Sequence, residues 1–291
     1  MILNAATDKT GYEEPGKNQC IIKKKERASY PKNRMKIAVV TGASSGLGKE
    51  FVKEIARKEK IEEIWVIARR EDRLKSLSEN LSVPVKIFPL DLTDQKSFDV
   101  LEERLQKEKP DVRILVNAAG FGKMGNYKEI SRQDQNNMIE LNCRALMNLS
   151  VLMIPWMSRG SRIIEICSVA AFQPLPSLNV YAATKAFAQS YSKALRWELF
   201  GTGIHVTAVC PYWISDTEFI PVTRENTGNK KAVRHFPLAQ KSGEVAGHSL
   251  FWSKLNVPVC TPGLASFLMR FFTKFIPNEL ITACWELLRR I

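Results

Sequence analysis

The stretch KIAVVTGASSGLGKEF, residues 36–51, decides the fold. It opens with a run of apolar and β-branched residues, passes through a turn rich in glycine, and continues with helical periodicity. Gly42, Gly46 and Gly48 permit a tight turn and a close approach of the backbone to a phosphate group. The N-terminus of the following helix offers free N–H groups and the positive end of the helix dipole. The stretch therefore predicts a strand, a phosphate-binding turn and a helix.

The same alternation of a buried strand with a helix repeats along the chain. The predicted strands are residues 36–40, 63–68, 84–90, 113–119, 162–168 and 205–211. Helices are predicted at 47–59, 71–80 and 94–108, with two long helices on either side of the fifth strand. Because these strands are continuously apolar, the sheet must be covered on both faces. The sequence therefore predicts an α/β fold with a single Rossmann-type doubly wound parallel sheet and helices on both faces.

The domain organisation follows from changes in composition. Residues 1–34 lack lasting periodicity and are rich in polar residues, which predicts a flexible N-terminal extension. Residues 35–291 are predicted to form a single Rossmann-type domain. Within it, 212–245 reads as a substrate lid, and 246–291 as a C-terminal helical region.

Composition excludes several classes of function. The net charge is +13, yet no basic stripe interleaved with aromatic residues is present, so a nucleic-acid partner is not expected. The six cysteines form no CxxC pair, which favours free thiols in a reducing compartment and a cytoplasmic location. The three histidines have no metal-ligand spacing, so no metal is expected. There is no apolar run long enough for a transmembrane helix and no signal-peptide core.

Two arginines end the second strand. A carboxylate about 20 residues beyond the glycines normally accepts from the ribose 2′-hydroxyl of NAD. Here Arg69 and Arg70 occupy that region. Guanidinium groups suit a 2′-phosphate, so the sequence predicts NADP(H) as the cofactor. An exposed arginine pair without a ligand is the alternative.

With these features in place, the sequence resembles the short-chain dehydrogenase/reductase family over about residues 36–217. The resemblance is carried by TGASSGLG (41–48), DLTD (91–94), NAAG (117–120), Asn142, Ser168 and YAATK (181–185). Ser168 lies 13 residues before Tyr181, which is the family's usual spacing. One departure is the sequence PYWISDT (211–217), where Tyr212 replaces a glycine common in the family and Thr217 comes slightly late. This variant is similar to subfamilies that act on steroids or long acyl chains.

The resemblance implies a role for each matched residue. Ser168, Tyr181 and Lys185 are implied to form the reacting centre, and Asn142 to hold a water in a proton relay. The implied cofactor-binding residues are Gly42, Ser44, Ser45, Gly46, Leu47, Gly48, Arg69, Arg70, Asp91, Leu92, Asn117, Ala118, Ala119, Gly120, Tyr181, Lys185, Pro211 and Ile214.

The chemistry of Tyr181 and Lys185 is consistent with these roles. The two residues are four apart on a predicted helix and therefore share one face. Reduction of a ketone needs an acid at the carbonyl oxygen. A cation beside the phenol favours phenolate, so we expect Lys185 to lower the pKa of Tyr181. Ser168 can donate to the developing alkoxide.

The substrate is expected to be large and apolar, because bulky residues follow the strand ends. The candidate substrate residues are Phe121, Phe172, Gln173, Tyr212, Trp213 and Phe219. A steroid or bile acid is the favoured substrate class. The alternatives are a 3-ketoacyl or other long-chain carbonyl reductase and a non-catalytic dinucleotide-binding regulator. A basic cluster of Arg224, Lys230, Lys231 and Arg234 either meets an acidic substrate tail or, as favoured, faces solvent.

The C-terminal residues 261–291 combine many phenylalanines with Arg270 and Lys274. They are expected to wall the substrate pocket or to pack on another subunit. Contact with a membrane surface is a third, less favoured interpretation. In the family that the chain resembles, the helix bearing Tyr181 often packs against another subunit, so a homodimer or homotetramer is expected.

Overall fold

A parallel β-sheet forms the centre of the structure, a computed structural model that describes residues 33–224 and 238–290. Its strands are β1 (Lys36–Thr41), β2 (Glu63–Ile67), β3 (Val85–Phe88), β4 (Asp111–Asn117), β5 (Arg162–Ile166), β6 (His205–Val209) and β7 (Val259–Cys260). Their spatial order is β3-β2-β1-β4-β5-β6-β7, and every pairing is parallel. The order reverses direction at β1, between β2 and β4, which is where such sheets bind ligands.

Ten α-helices connect and flank the strands of the described chain. They are α1 (Gly46–Lys58), α2 (Glu71–Ser78), α3 (Gln95–Glu108), α4 (Arg132–Ile139), α5 (Leu146–Met153), α6 (Asn179–Glu198), α7 (Phe219–Arg224), α8 (Ser242–Lys254), α9 (Leu264–Phe272) and α10 (Asn278–Arg290). A π-helical segment, Glu140–Ala145, joins α4 to α5, and a 3₁₀ turn, Val169–Phe172, follows β5.

Alternate residues of each strand pack on opposite faces of the sheet. Val40 of β1 and Ile164 of β5 pack with Phe51 of α1 and Leu250 of α8. On the other face, Ala208 of β6 packs with residues of α5 and α6. Because both faces are covered by helices, the strands are mainly apolar on both sides, and the predicted doubly wound fold is confirmed.

The C-terminal end of the segment predicted as a lid, residues 242–245, is part of a helix. Ser242–Val245 form the first turn of α8, and Val245 is fully buried. Asp216 accepts hydrogen bonds from the backbone N–H and the hydroxyl of Ser242, so it fixes the start of this helix. The last part of the predicted lid therefore belongs to the core.

Several predictions concern residues that the structure does not describe. These are most of the predicted extension (1–34), the middle of the predicted lid (225–237) and the basic cluster of Lys230, Lys231 and Arg234 with the side chain of Arg224. Within the described ranges, no helix is both long enough and apolar enough to cross a membrane.

Candidate active site

The carboxyl ends of the central strands open onto a cavity of about 860 Å³. The glycine turn after β1 lines one part of it, and the segments after β2, β3, β4, β5 and β6 line most of the rest. Every predicted cofactor-binding residue except Asn117 contributes to the lining. Ser168, Tyr181 and Lys185 do so as well. The predicted turn and the predicted reacting centre therefore face the same space.

The glycine turn is held against the end of β4 by close backbone packing. A Cβ on Gly48 would lie 2.4 Å from the carbonyl oxygen of Gly42. Gly42 has a φ of +66°, and its Cβ would lie 2.9 Å from the backbone of Ala118. These distances are too short for any side chain, so glycine is required at both positions. The turn also packs on Thr217, whose methyl group would be 3.3 Å from a Cβ on Gly46.

Arg70 links the glycine turn to the start of α7. Its guanidinium donates to the hydroxyl of Ser45 at 2.7 Å and to that of Ser44 at 3.2 Å. It also pairs with the Glu218 carboxylate at 2.9 Å. Glu218 accepts from Arg73 too, and these hydrogen bonds hold the pKa of its carboxyl below the ordinary value. The guanidinium of Arg70 is therefore fixed beside the glycine turn, at the edge of the cavity.

Arg69 has a looser partner on the same rim. Its guanidinium lies 3.6 Å from the carboxylate of Asp91, and its side chain is mostly exposed. Asp91 is itself fixed by hydrogen bonds from the backbone and hydroxyl of Thr93. Two guanidinium groups thus stand at the end of the cavity next to α2.

Ser168, Tyr181 and Lys185 converge at the carboxyl end of β5. Tyr181 and Ser168 share a side-chain hydrogen bond, and the Ser168 Oγ also accepts from the N–H of Ala170 at 3.1 Å. The Lys185 ammonium donates to the carbonyl of Ile166 at 2.7 Å and lies 5.8 Å from the Tyr181 ring centroid. The three residues implied to form the reacting centre therefore lie in one cluster.

The pKa of Tyr181 is raised, which corrects the prediction that Lys185 lowers it. Burial is the main cause, and the hydrogen bond with Ser168 opposes it only in part. Burial also lowers the pKa of Lys185, whose ammonium is directed at the Ile166 carbonyl rather than at the phenol. The groups of the protein therefore keep Tyr181 protonated at neutral pH, which is the form that can donate a proton.

Asn142 lies in the π-helical segment, beside the reacting centre rather than in the cavity lining. Its amide donates to the carbonyl of Phe121 at 2.9 Å and to the hydroxyl of Thr184 at 3.0 Å, and it accepts from the N–H of Phe121. A Cβ on Gly120 would lie 2.8 Å from the Asn142 Oδ1 and 3.5 Å from the Lys185 Nζ. Asn142 therefore fixes the backbone that passes next to Lys185.

Unlike the other implied cofactor-binding residues, Asn117 is buried below the cavity floor and does not line the cavity. Its amide donates to the hydroxyl of Ser150 at 3.0 Å and to the carboxylate of Glu165 at 3.1 Å. Asn117 pairs with Glu165 across β4 and β5, and both side chains point toward α5. Its position in the strand, one residue before the lining begins, accounts for the difference.

Glu165 is a buried carboxylic acid that the sequence reasoning missed. It is fully buried, and burial raises the pKa of its carboxyl to about 7. One oxygen accepts from Ser150 and Asn117, and the other has no hydrogen-bond partner within the described chain. The charge at 165 in an otherwise apolar strand was the signal that could have identified it.

The substrate half of the cavity is apolar. Phe121, Gln173, Tyr212, Trp213 and Phe219 line it as predicted. The Phe219 ring lies 5.4 Å from the Tyr181 ring, centroid to centroid. Phe172 was predicted to line the cavity, but it packs on the core cluster of Leu146 and Ala188 instead. It ends the 3₁₀ turn after β5, which directs its side chain toward α6.

Part of the cavity wall comes from the C-terminal helices, which was one of the two interpretations expected for residues 261–291. Met269 of α9 and Trp285 of α10 line the cavity. The Trp285 indole N–H donates to the carbonyl of Pro176 at 3.0 Å, and Thr282 donates to that of Pro174 at 3.3 Å. These bonds fix α10 on the loop that precedes α6, so the end of the chain closes the substrate side.

Comparison with known proteins finds matches along most of the chain. A family model described as short chain dehydrogenase matches residues 36–228. Sulfoacetaldehyde reductase 2 of Chromohalobacter salexigens is 33% identical over 205 residues, which are 67% of this chain and 78% of that protein. A short-chain dehydrogenase from Sphingobium yanoikuyae in complex with NADPH has a TM-score of 0.69 at 26% identity and covers 88% of this chain and 96% of its own. The bulky-bulky ketone specific alcohol dehydrogenase from Comamonas testosteroni has a TM-score of 0.66 at 26% identity, with coverages of 89% and 96%.

The pKa of Glu165 predicts a pH-dependent stability. Because burial raises this pKa from 4.5 to about 7, the folded state binds more protons than the unfolded state between these pH values. Its contribution to stability is complete below the unfolded pKa and is lost as the pH rises through 7. Urea unfolding should show that the wild type loses about 2 to 3 kcal/mol more than Glu165→Gln between about pH 5 and about pH 8.

The matched control is Glu103→Gln, on the exposed side of α3, which should keep the wild-type pH dependence. An equal pH dependence in the wild type and Glu165→Gln would contradict the assignment of this buried group.

Proposed function

This chain belongs to the short-chain dehydrogenase family, and we propose that it is an NADP(H)-dependent oxidoreductase that interconverts a bulky hydrophobic secondary alcohol and its ketone. One observation carries the proposal. The cluster of Ser168, Tyr181 and Lys185 and the glycine turn line one cavity. A proton donor and a dinucleotide site are thereby brought together, as carbonyl reduction requires.

The residues of the cavity fit a dinucleotide. The turn after β1 leaves room where side chains would lie at Gly42 and Gly48, and the N-terminus of α1 follows it directly. A pyrophosphate is favoured at such a position. Ala118, Ala119 and Gly120 continue the floor toward the reacting centre. Bound NADPH would supply the hydride for the carbonyl carbon.

The 2′-phosphate of NADP(H) would be held by Arg70 together with Arg69. Arg70 already donates to both serines of the turn, so its guanidinium is preorganised on the cavity rim. Guanidinium groups form charge-assisted bonds with phosphate. The relative from Sphingobium yanoikuyae, which was solved with NADPH, supports the same choice of cofactor.

The reduction step uses groups of the protein on the oxygen side. The substrate carbonyl oxygen accepts hydrogen bonds from Tyr181 and Ser168. As the carbon receives a hydride, the C=O bond becomes a C–O single bond, and Tyr181 transfers its proton to that oxygen. Because burial keeps the phenol protonated, Tyr181 is ready to donate. Lys185, less than 6 Å away, stabilises the phenolate that remains until it is reprotonated.

The lining supports a bulky apolar substrate. Phe121, Trp213 and Phe219 stand on one side of Tyr181, and Met269 and Trp285 close the cavity. A steroid or bile acid is one class that fits such a wall. The neighbour from Comamonas testosteroni, described as specific for bulky-bulky ketones, supports a large substrate, whereas the relative named for sulfoacetaldehyde favours a small one.

Two alternatives stay open to experiment. A 3-ketoacyl or other long-chain carbonyl reductase would use the same reacting groups and the same apolar wall. A non-catalytic dinucleotide-binding regulator would need the turn but not Ser168 and Tyr181. The hydrogen bond between those two side chains favours an enzyme.

We also propose a homodimer or homotetramer in the cytoplasm. Helix α6 exposes Phe187 and Trp197, and Phe200 follows it, which are apolar residues that a subunit contact would cover. The described cysteines are all free thiols, which agrees with a reducing compartment.

Replacing the acid should separate binding from turnover. Tyr181→Phe removes the proton donor but keeps the ring that packs on Phe219, so NADPH affinity should stay within about twofold while kcat falls by about 10²- to 10⁴-fold. Tyr127→Phe, at an exposed tyrosine, is the control and should keep full activity. Steady-state rates and NADPH fluorescence titration measure the two quantities. Wild-type turnover in Tyr181→Phe would reject the mechanism.

The cofactor preference should depend on the two arginines. Arg70→Ala should raise the Kd for NADPH about 10- to 100-fold, as expected for loss of a bond to a charged group, with little change for NADH. Arg69→Asp should shift the preference toward NADH, because a carboxylate accepts from the ribose 2′-hydroxyl. Arg57→Ala, on the exposed side of α1, is the control. A wild type that already prefers NADH would refute this assignment.

The apolar lining of the cavity should determine which substrate the enzyme prefers. A rate screen with a steroid ketone, a 3-ketoacyl thioester and sulfoacetaldehyde should give the highest kcat/KM for a bulky ketone. Trp285→Ala should lower that value about tenfold through lost apolar contact, with NADPH affinity unchanged. Trp252→Ala, outside the cavity on α8, should have no effect. Highest activity on sulfoacetaldehyde would contradict the proposed substrate class.

A further inference from the structure

Helix α9 and the turn after it expose their apolar side. Leu264, Phe267, Leu268, Phe271, Phe272, Phe275 and Ile276 are all exposed, and we call this set the C-terminal apolar surface. The spacing of these residues repeats every three or four positions, so they form one stripe. The exposure is large: 67% for Leu264 and 70% for Phe275.

The opposite side of α9 faces the protein, although it is more polar. Ser266 is fully buried, and Arg270 donates to the carbonyl of Val259 at 2.8 Å. A helix that packs only on its own domain normally buries its apolar stripe. Here the orientation is reversed and is held by a hydrogen bond to β7. The C-terminal apolar surface is therefore a binding surface rather than a poorly packed part of the core.

We propose that the C-terminal apolar surface docks the enzyme on an anionic lipid bilayer, with the phenylalanines in the headgroup boundary. The first reason is composition. The stripe contains phenylalanine, leucine and isoleucine beside an exposed lysine, Lys274, which is the pattern of helices that lie in a membrane interface. Protein interfaces are also enriched in phenylalanine, but they are depleted in lysine.

The second reason is charge. Lys274 is exposed on this surface, residues 261–278 contain no acidic residue, and the whole chain carries a net charge of +13. Pairing this surface with a second copy of the chain would bring like charges together. An anionic bilayer offers the opposite sign, and each basic residue near such a surface adds to the attraction.

Docking would place the bilayer behind the substrate wall. Met269 and Trp285, from the same two helices, line the cavity. Leu280 and Leu287 of α10 are exposed as well, so the apolar character continues beyond α9. If the proposed function holds, an apolar substrate dissolved in the bilayer would be concentrated beside the cavity. The docking itself does not depend on that function.

Co-sedimentation of the full chain with vesicles tests the proposal. The wild type should bind vesicles of equal parts phosphatidylcholine and phosphatidylglycerol, and bind pure phosphatidylcholine more weakly. Phe275→Ser should lower the partition coefficient about tenfold, and Phe271→Ser with Phe275→Ser should lower it further. Lys274→Glu should weaken binding to the anionic vesicles and reduce its salt dependence.

Tyr127→Ser is the matched control, because Tyr127 is 71% exposed, as Phe275 is 70% exposed, but lies outside the C-terminal apolar surface. It should bind vesicles like the wild type. NADPH affinity measured in the same variants checks their fold and reports on the proposed function separately. The proposal is overturned if Phe275→Ser binds vesicles as the wild type does. It is also overturned if the wild type binds neither kind of vesicle. In that case, a lower oligomeric state of the double variant in sedimentation equilibrium would make this surface a contact between copies.

Discussion

The geometry of the cavity depends on the contact between the glycine turn and the end of β4. Gly42 lies so close to the backbone of Ala118 that it cannot carry a side chain, and Gly48 is limited in the same way by the carbonyl of Gly42. This contact brings the start of α1 next to the segment that carries Ala118 and Gly120. Because β4 pairs with β5, the same contact sets the distance from the turn to Ser168. A substitution that moved the turn outward would displace the phosphate site and its relation to the reacting centre together.

Burial governs the electrostatics of the centre. Tyr181, Lys185 and Glu165 are all withdrawn from water, and each has its neutral form favoured for that reason. The phenol therefore remains an acid, and the lysine is held by a backbone carbonyl rather than by a carboxylate. The usual expectation that a neighbouring ammonium makes a tyrosine acidic depends on where the ammonium points. In this chain the direction is set by Ile166 at the end of β5.

The sequence was sufficient for the elements and for most of the site. Strand and helix bounds differ by a few residues from the prediction, since each apolar run is bounded by polar turns. Most residues of the short motifs line one cavity, because the sheet fixes the strand ends that many of them follow. What could not be predicted is the direction in which a side chain points once the chain has folded. Phe172 and Asn117 are next to lining residues in sequence, and only the path of the backbone decides that they face the core.

Longer-range contacts were also beyond the sequence. Strand β7 has two residues, too few for any periodicity. Glu165 looks like an ordinary charge in a strand until its partners Asn117 and Ser150 are known. Trp285 reaches the cavity from more than 100 positions away in the chain, through its bond to Pro176. No local pattern reports such a contact, because it depends on how α10 returns to the loop before α6.

The C-terminal wall adds residues from outside the matched range to the cavity. The motifs for the cofactor and the reacting centre lie within the matched range 36–228, whereas Met269 and Trp285 lie after it. Substitutions at those late residues can therefore change which substrate the cavity accepts without disturbing how the hydride and proton are delivered. Two related proteins could therefore keep the same chemistry and differ in substrate through changes in their C-terminal residues.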